Sequence, residues 1–196
     1  MLLCSLAASA DAQPLAAPPW QRPGGSRSWL VPSLHAVGLL TAQRVGAMLL
    51  WPHAFSLEDG ERNERRFVEG WTLPPRVDPR RNFFRWDGDA WAINFAGHGL
   101  MGSEIYLRAR QCGQGVLPSI LFTAAASAVW EYGVEVFAAR PSVNDLIWTP
   151  LGGAFFGEVR LALWSLSGRL PRAAATVLRV VVDPFGEVER ALGAPC

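Results

Sequence analysis

Lysine is missing from this chain: all 18 basic residues among its 196 are arginine, the usage of a GC-rich coding sequence, and no function follows from it. Charge of either sign is scarce. Charged residues make up 18% and hydrophobic ones 50%, so the surface must be small, shared with other subunits or covered by lipid. The net charge is +1 and the arginines are scattered, with no stripe of interleaved aromatics, which excludes an electrostatic footprint for nucleic acid. Several catalytic signatures are absent: no His-Glu-x-x-His, no Gly-x-Ser-x-Gly, no paired-cysteine motif, and no Glu-x-x-His of the kind that builds helical carboxylate metal sites. No stretch alternates with period two for long enough to build a sheet. No segment offers an uninterrupted apolar run of the length a simple membrane span needs. At this length one domain with a sizeable core is expected.

The chain opens with a short apolar run and the small-residue patterns ASA and ADA, so residues 1–13 read as a truncated secretory signal peptide. A positively charged leader region is missing; either the true start lies upstream of Met1 or the segment is an Ala-rich tail, and the former is the expectation. Cys4 lacks the small residue that precedes a lipidated cysteine, which disfavours a lipid anchor. In an exported compartment Cys112 and Cys196 could pair, and two free thiols fit the sequence equally well. Residues 14–32, rich in Pro, Gly, Ser and Arg, read as a linker. A single helical domain is expected over 33–186, with 187–196 as a tail.

Within that domain the pattern predicts a helix from an N-cap at Ser33 to Pro52, a charged surface loop over 56–89 with a short helix at 58–68, and a helix over 89–110 opened by Asp89. Helices over 117–139, 143–167 (with Pro150 bending its first turns) and 171–182 follow, and VVDPFG reads as a turn. The expected fold is all-α: a bundle of four to five helices, packed through the small residues Gly97, Gly102, Gly153 and Gly157, with a polar interior and a membrane-embedded setting as the first choice. Trp29, Trp51, Trp71, Trp86, Trp91, Trp148 and Trp164 fall near the proposed helix ends or in loops, where interfacial tryptophans gather.

Ionisable residues on apolar helices are costly unless paired, so WEYGVEVFAARPSVNDLIWTPLGGAFFGE at 130–158 stands out. Positions four apart share a helix face. That spacing stacks Glu131 on Glu135, aligns Asn94, His98 and Gly102, and aligns Asp145, Thr149, Gly153 and Gly157 with Glu158 alongside. Ser142, Asn144 and Asp145 suit the cap and first turn of their helix. Tyr106 and Arg108 complete the expected polar cluster, with Arg108 or Arg110 offering a fork to a carboxylate.

The motifs NFAGH, GSEIYLRAR, WEYGVE, PSVNDL, TPLGG, GE and VDPFG occur in order and resemble the uncharacterised bacterial exported family "domain of unknown function 3943", over about residues 80–186. Gly99 stands where family members more often carry proline. More distantly, Glu135, Arg140, Ser142, Asp145 and Gly153 resemble the pattern of VanZ-like small helical membrane proteins. The resemblance implies export to the cell envelope of a Gram-negative-type bacterium and brings no established reaction.

Three roles fit. In the preferred one, which is not enzymatic and needs no cofactor, His98, Glu131, Glu135, Asp145 and Arg108 form a network that fixes helix register in an envelope scaffold or assembly protein. In the second, a lipid or amphiphile binds between the helices, with membrane lipid and other envelope proteins as partners. In the third, the cluster is hydrolytic or metal-binding, with His98, Glu131 and Glu135 as ligands, Asp145 as a fourth, and His98 or Glu131 as general acid or base.

Overall fold

The computed structural model describes residues 28–193, so the expected signal peptide, most of the linker, Cys4 and the Cys112–Cys196 pairing lie outside the described residues. Eight α-helices are present among the described residues: α1 (Leu30–Leu50), α2 (Pro52–Phe55), α3 (Gly60–Thr72), α4 (Gly99–Gln111), α5 (Val116–Val129), α6 (Val143–Ser167), α7 (Arg172–Val182) and α8 (Pro184–Ala191). Within the same residues the only β-type pairing is an isolated parallel bridge between Arg76 and Ser142. The expected all-α bundle is the observed fold.

Helix α4 is the central element, with Ile105, Tyr106 and Leu107 shut off from solvent, and α1, α5 and α6 pack around it. It crosses α6 at Gly102 and Gly153, where a Cβ on Gly153 would lie 2.6 Å from the Gly102 carbonyl carbon. One turn on, a Cβ on Gly157 would intrude on the Tyr106 ring. Gly97, expected in the same role, is not a helix contact: the nearest atom to a Cβ there is Cγ2 of Ile93 on its own turn, at 4.0 Å.

Several boundaries differ from the sequence reading for local reasons. Helix α1 begins at Leu30, and Ser33 donates its N–H to the Trp29 carbonyl at 2.9 Å instead of capping. Pro32 can sit inside this first turn because the first four N–H groups of a helix have no helical acceptor. Asp59 caps α3 by accepting from the Arg62 N–H at 2.9 Å, and the helix continues to Thr72. Helix α6 runs unbroken through Pro150. VDPFG is a helix start, not a turn: Asp183 accepts from the Gly186 N–H at 3.1 Å and Pro184 occupies the first position of α8. Residues 187–191, expected in a tail, belong to that helix.

Two stretches of wider, π-type helix interrupt the regular turns, Ile93–His98 leading into α4 and Trp130–Val134 leaving α5, the latter followed by a tight 3-10 turn at Glu135–Phe137. Both end beside the N-terminus of α6. The segment expected as a loose surface loop is pinned there too. Arg76 donates its backbone N–H to the Pro141 carbonyl at 2.7 Å and its Nε to the Arg140 carbonyl at 2.8 Å, while the Val143 N–H returns to the Arg76 carbonyl at 3.1 Å.

Candidate functional site

At the N-terminal end of α6 the chain places seven polar side chains out of water: Asn94, His98, Glu131, Ser142, Asn144, Asp145 and Thr149. His98 comes from the first π stretch and Glu131 from the second; such widened turns redirect side chains off the regular helical faces and recur at functional sites. Asp145 and Thr149 occupy successive turns of α6, and Ser142 caps that helix by accepting from the Asp145 N–H at 3.3 Å.

Each of the three ionisable members is held by one atom. Nδ1 of His98 lies 3.1 Å from Oγ1 of Thr149. Oε2 of Glu131 accepts the Ser142 N–H at 2.8 Å, and Oδ1 of Asp145 accepts from Asn144 Nδ2 at 3.0 Å. The second oxygens, Glu131 Oε1 and Asp145 Oδ2, have no hydrogen-bond partner. Nε2 of His98 stands 3.6 Å from Asp145 Oδ2, and one potential ligand atom from each of His98, Glu131 and Asp145 lies within 4.8 Å of the other two.

Asp87, in the pinned segment, forms the outer wall. Its carboxylate accepts from Ser142 Oγ at 2.8 Å, Asn94 Nδ2 at 2.8 Å and the Asp89 N–H at 2.9 Å. Burial pushes its pKa up, but these hydrogen bonds together with the nearby Arg76 charge outweigh it and hold the group below the usual aspartate value. Arg76 also meets Asp89, expected as a helix cap, at 3.4 Å, and Glu135 at 3.9 Å. Glu135 lies at this wall too: its carboxylate takes the Trp130 indole N–H, and its charge acts on both Glu131 and His98. Arg140 contributes its carbonyl here, to Arg76.

Three expected members, Tyr106, Glu158 and Arg108, lie elsewhere. Tyr106 donates to Glu158 at 2.6 Å, and Arg110 reaches the same carboxylate oxygen at 2.7 Å, making a separate bridge between α4 and α6. Arg108 points to the other end of the bundle, against Asp183 at 3.8 Å and Glu189 at 2.9 Å, with Gln111 accepting from it at 2.8 Å. Sequence reasoning missed Arg76, Asp87 and Asp183. WDGD and VDPFG held the signal, because carboxylates followed at once by helix starts lie at chain reversals where distant segments meet.

The fold and these clusters define a class: a helical domain with an apolar outside and a buried, partly unsatisfied polar centre. The chain belongs to the family described as "Domain of unknown function (DUF3943)", which it matches over residues 83–185, just over half its length. The matched span contains every residue of the centre and ends at the second residue of α8. The VanZ-like resemblance is not shown by this match. No curated protein and no solved structure matches the chain.

Proposed function

We propose that this is a scaffold domain of the bacterial cell envelope, seated in lipid, whose polar centre fixes the register of its helices. The observation that carries this reading is an inverted distribution of side chains. Leu49 of α1, Leu117 of α5 and Phe155 of α6 are 77%, 64% and 63% exposed, and many other apolar residues face outward beside them, while Asn94, Glu131, Asn144 and Asp145 are inside. So many exposed large apolar residues support a surface meant for lipid or partner. Helix α1 is bracketed by exposed Trp29 and Trp51, and its 21 residues rise roughly 30 Å, the thickness of a bilayer's hydrocarbon core. One segment, Val116–Phe137, has the length and hydropathy of a span. Between α4 and α6 the charges are paired, Arg110 with Glu158 and Arg160 with Glu104, as embedded bundles pair theirs.

A second reading rests on a cavity of about 520 Å3 between α1, α4, α6 and the α7–α8 junction. It is lined by Leu39, Leu100, Met101, Val181 and Phe185, with the Glu104–Arg160 ion pair at its polar side. A lipid acyl chain would fill it with its head group near that pair, which makes lipid a bound ligand as well as a solvent.

Alkaline carbonate extraction of membranes from cells expressing the full-length protein tests the first reading. Retention in the pellet is expected; release into the supernatant overturns it. Native mass spectrometry of the detergent-purified protein tests the second, with a bound phospholipid expected and its complete absence counting against it.

A further inference from the structure

A polar centre whose only task is to fix register should satisfy its own atoms, because a buried acceptor without a donor costs roughly 1–3 kcal/mol, and more if charged. This one does not. Glu131 and Asp145 are 0% and 1% exposed, and each leaves one carboxylate oxygen unpartnered. His98, 7% exposed, leaves Nε2 with no partner closer than the 3.6 Å contact to one of those oxygens. We propose that His98 Nε2, Glu131 Oε1 and Asp145 Oδ2 bind one divalent transition-metal ion.

The argument is geometric. Around a four-coordinate ion with metal–ligand distances of about 2.0–2.2 Å, ligand atoms lie roughly 3.3–3.6 Å from one another. The His98–Asp145 separation of 3.6 Å already has that value, and all three residues converge within 4.8 Å. The other atoms are held as ligand supports usually hold them: Thr149 meets Nδ1, the Ser142 N–H meets Oε2 and Asn144 meets Oδ1, which leaves Oε1 and Oδ2 without a donor. With Nδ1 protonated toward Thr149, Nε2 keeps its lone pair. Two carboxylates, a neutral imidazole and a dication sum to zero charge, which removes the penalty of burying two facing anions. One nitrogen and two oxygens suit a borderline ion such as Zn2+ better than a thiophilic one. Glu135 is not a ligand, being occupied by Trp130 and Arg76.

The inference does not depend on lipid covering the exterior, and metal content is read separately from membrane retention. Full-length protein, stripped with chelator and titrated with Zn2+ in a calorimeter, should take up one equivalent. Glu131→Gln, Asp145→Asn and His98→Gln should each abolish that binding, Thr149→Val should weaken it about 10–100-fold, and Glu158→Gln should leave it intact. Should the three ligand variants fail to fold, Co2+ added to the stripped wild-type protein decides, with an intense visible absorption of low-coordinate N/O ligation expected. Substoichiometric uptake by the wild type, undiminished binding by Glu131→Gln, or a Co2+ spectrum like that of the aqueous ion overturns the proposal.

Discussion

Replacing Gly153 with alanine should separate α4 from α6 at the point where their backbones touch. The added Cβ would lie 2.6 Å from the Gly102 carbonyl carbon and 2.8 Å from its Cα. Both are backbone atoms, which no rotamer change can move. Restoring an ordinary contact of about 3.5 Å requires the helices to part by ~0.9 Å, enough to forfeit a quarter to a half of the dispersion energy along the crossing. Overpacking of this kind costs about 3 kcal/mol at the upper end, and alanine's better helix propensity returns about 1, leaving a net loss of about 2 kcal/mol. Gly102→Ala should behave alike, because its Cβ strikes the Thr149 carbonyl. The damage then reaches the polar centre, since Thr149 also holds His98. Gly38→Ala on α1 is the internal control: nothing lies within 4 Å of its Cβ, so the propensity gain of up to about 1 kcal/mol should appear undiminished. Urea unfolding of the three detergent-solubilised variants, followed by circular dichroism, measures all of this. If Gly153→Ala proves as stable as Gly38→Ala, the close crossing is not what holds α4 against α6 and the reasoning fails.

Asp183→Ala should destabilise the protein by about 3 kcal/mol, because it strips the α8 cap and removes the 2.7 Å partners of both Gln111 and Arg190 beside the buried Arg108; a drop below 1 kcal/mol in urea unfolding refutes the latch. Trp148→Ala should cost about 3–5 kcal/mol and flatten the near-ultraviolet dichroism, since Trp148 packs against Phe84 at 4.9 Å and Phe95 at 5.5 Å and donates to the Phe95 carbonyl at 2.9 Å; an unchanged spectrum would contradict this packing. Asp87, with its pKa below the usual value in the folded state, contributes stability that is fully present above the unfolded value of about 3.9 and is lost as pH falls through the folded one. Thermal melts from pH 6 to pH 2 should therefore show an acid-side decline that is smaller in Asp87→Asn; identical declines would show that the three hydrogen bonds to this carboxylate do not bias its titration.

Much of the fold was legible because its signals are local. Helix α6 has the expected limits, since Ser142 is a cap that needs only its own next turn, and α7 begins one residue from the expected position. That Gly102 and Gly153 serve packing followed from the need for small residues at a close crossing, and the structure sets them against each other. The polar centre was legible in part: four-residue spacing picked out Asn94, His98, Asp145 and Thr149, and the structure buries all four, with His98 against Thr149. The two π turns were not legible, because four-residue spacing assumes regular helix and the chain widens at both His98 and Glu131. The partner of Arg108 was not legible either. A long arginine takes whichever carboxylates lie near it in space, and those proved to be Glu189 and Asp183, near the end of the chain.

The sequence by itself determined that this chain is helical, apolar on its outside, and burdened with carboxylates that water does not reach; composition, caps and apolar period carry those properties within a few turns of each residue. Tertiary structure decided which carboxylates meet. Only the folding of the 76–89 segment onto the start of α6 brings Asp87 to Ser142 and Asn94, and only the two π turns turn His98 and Glu131 toward Asp145. The reason is physical: a side chain's partner is set by the packing of helices distant in sequence, and local periodicity contains no term for that distance.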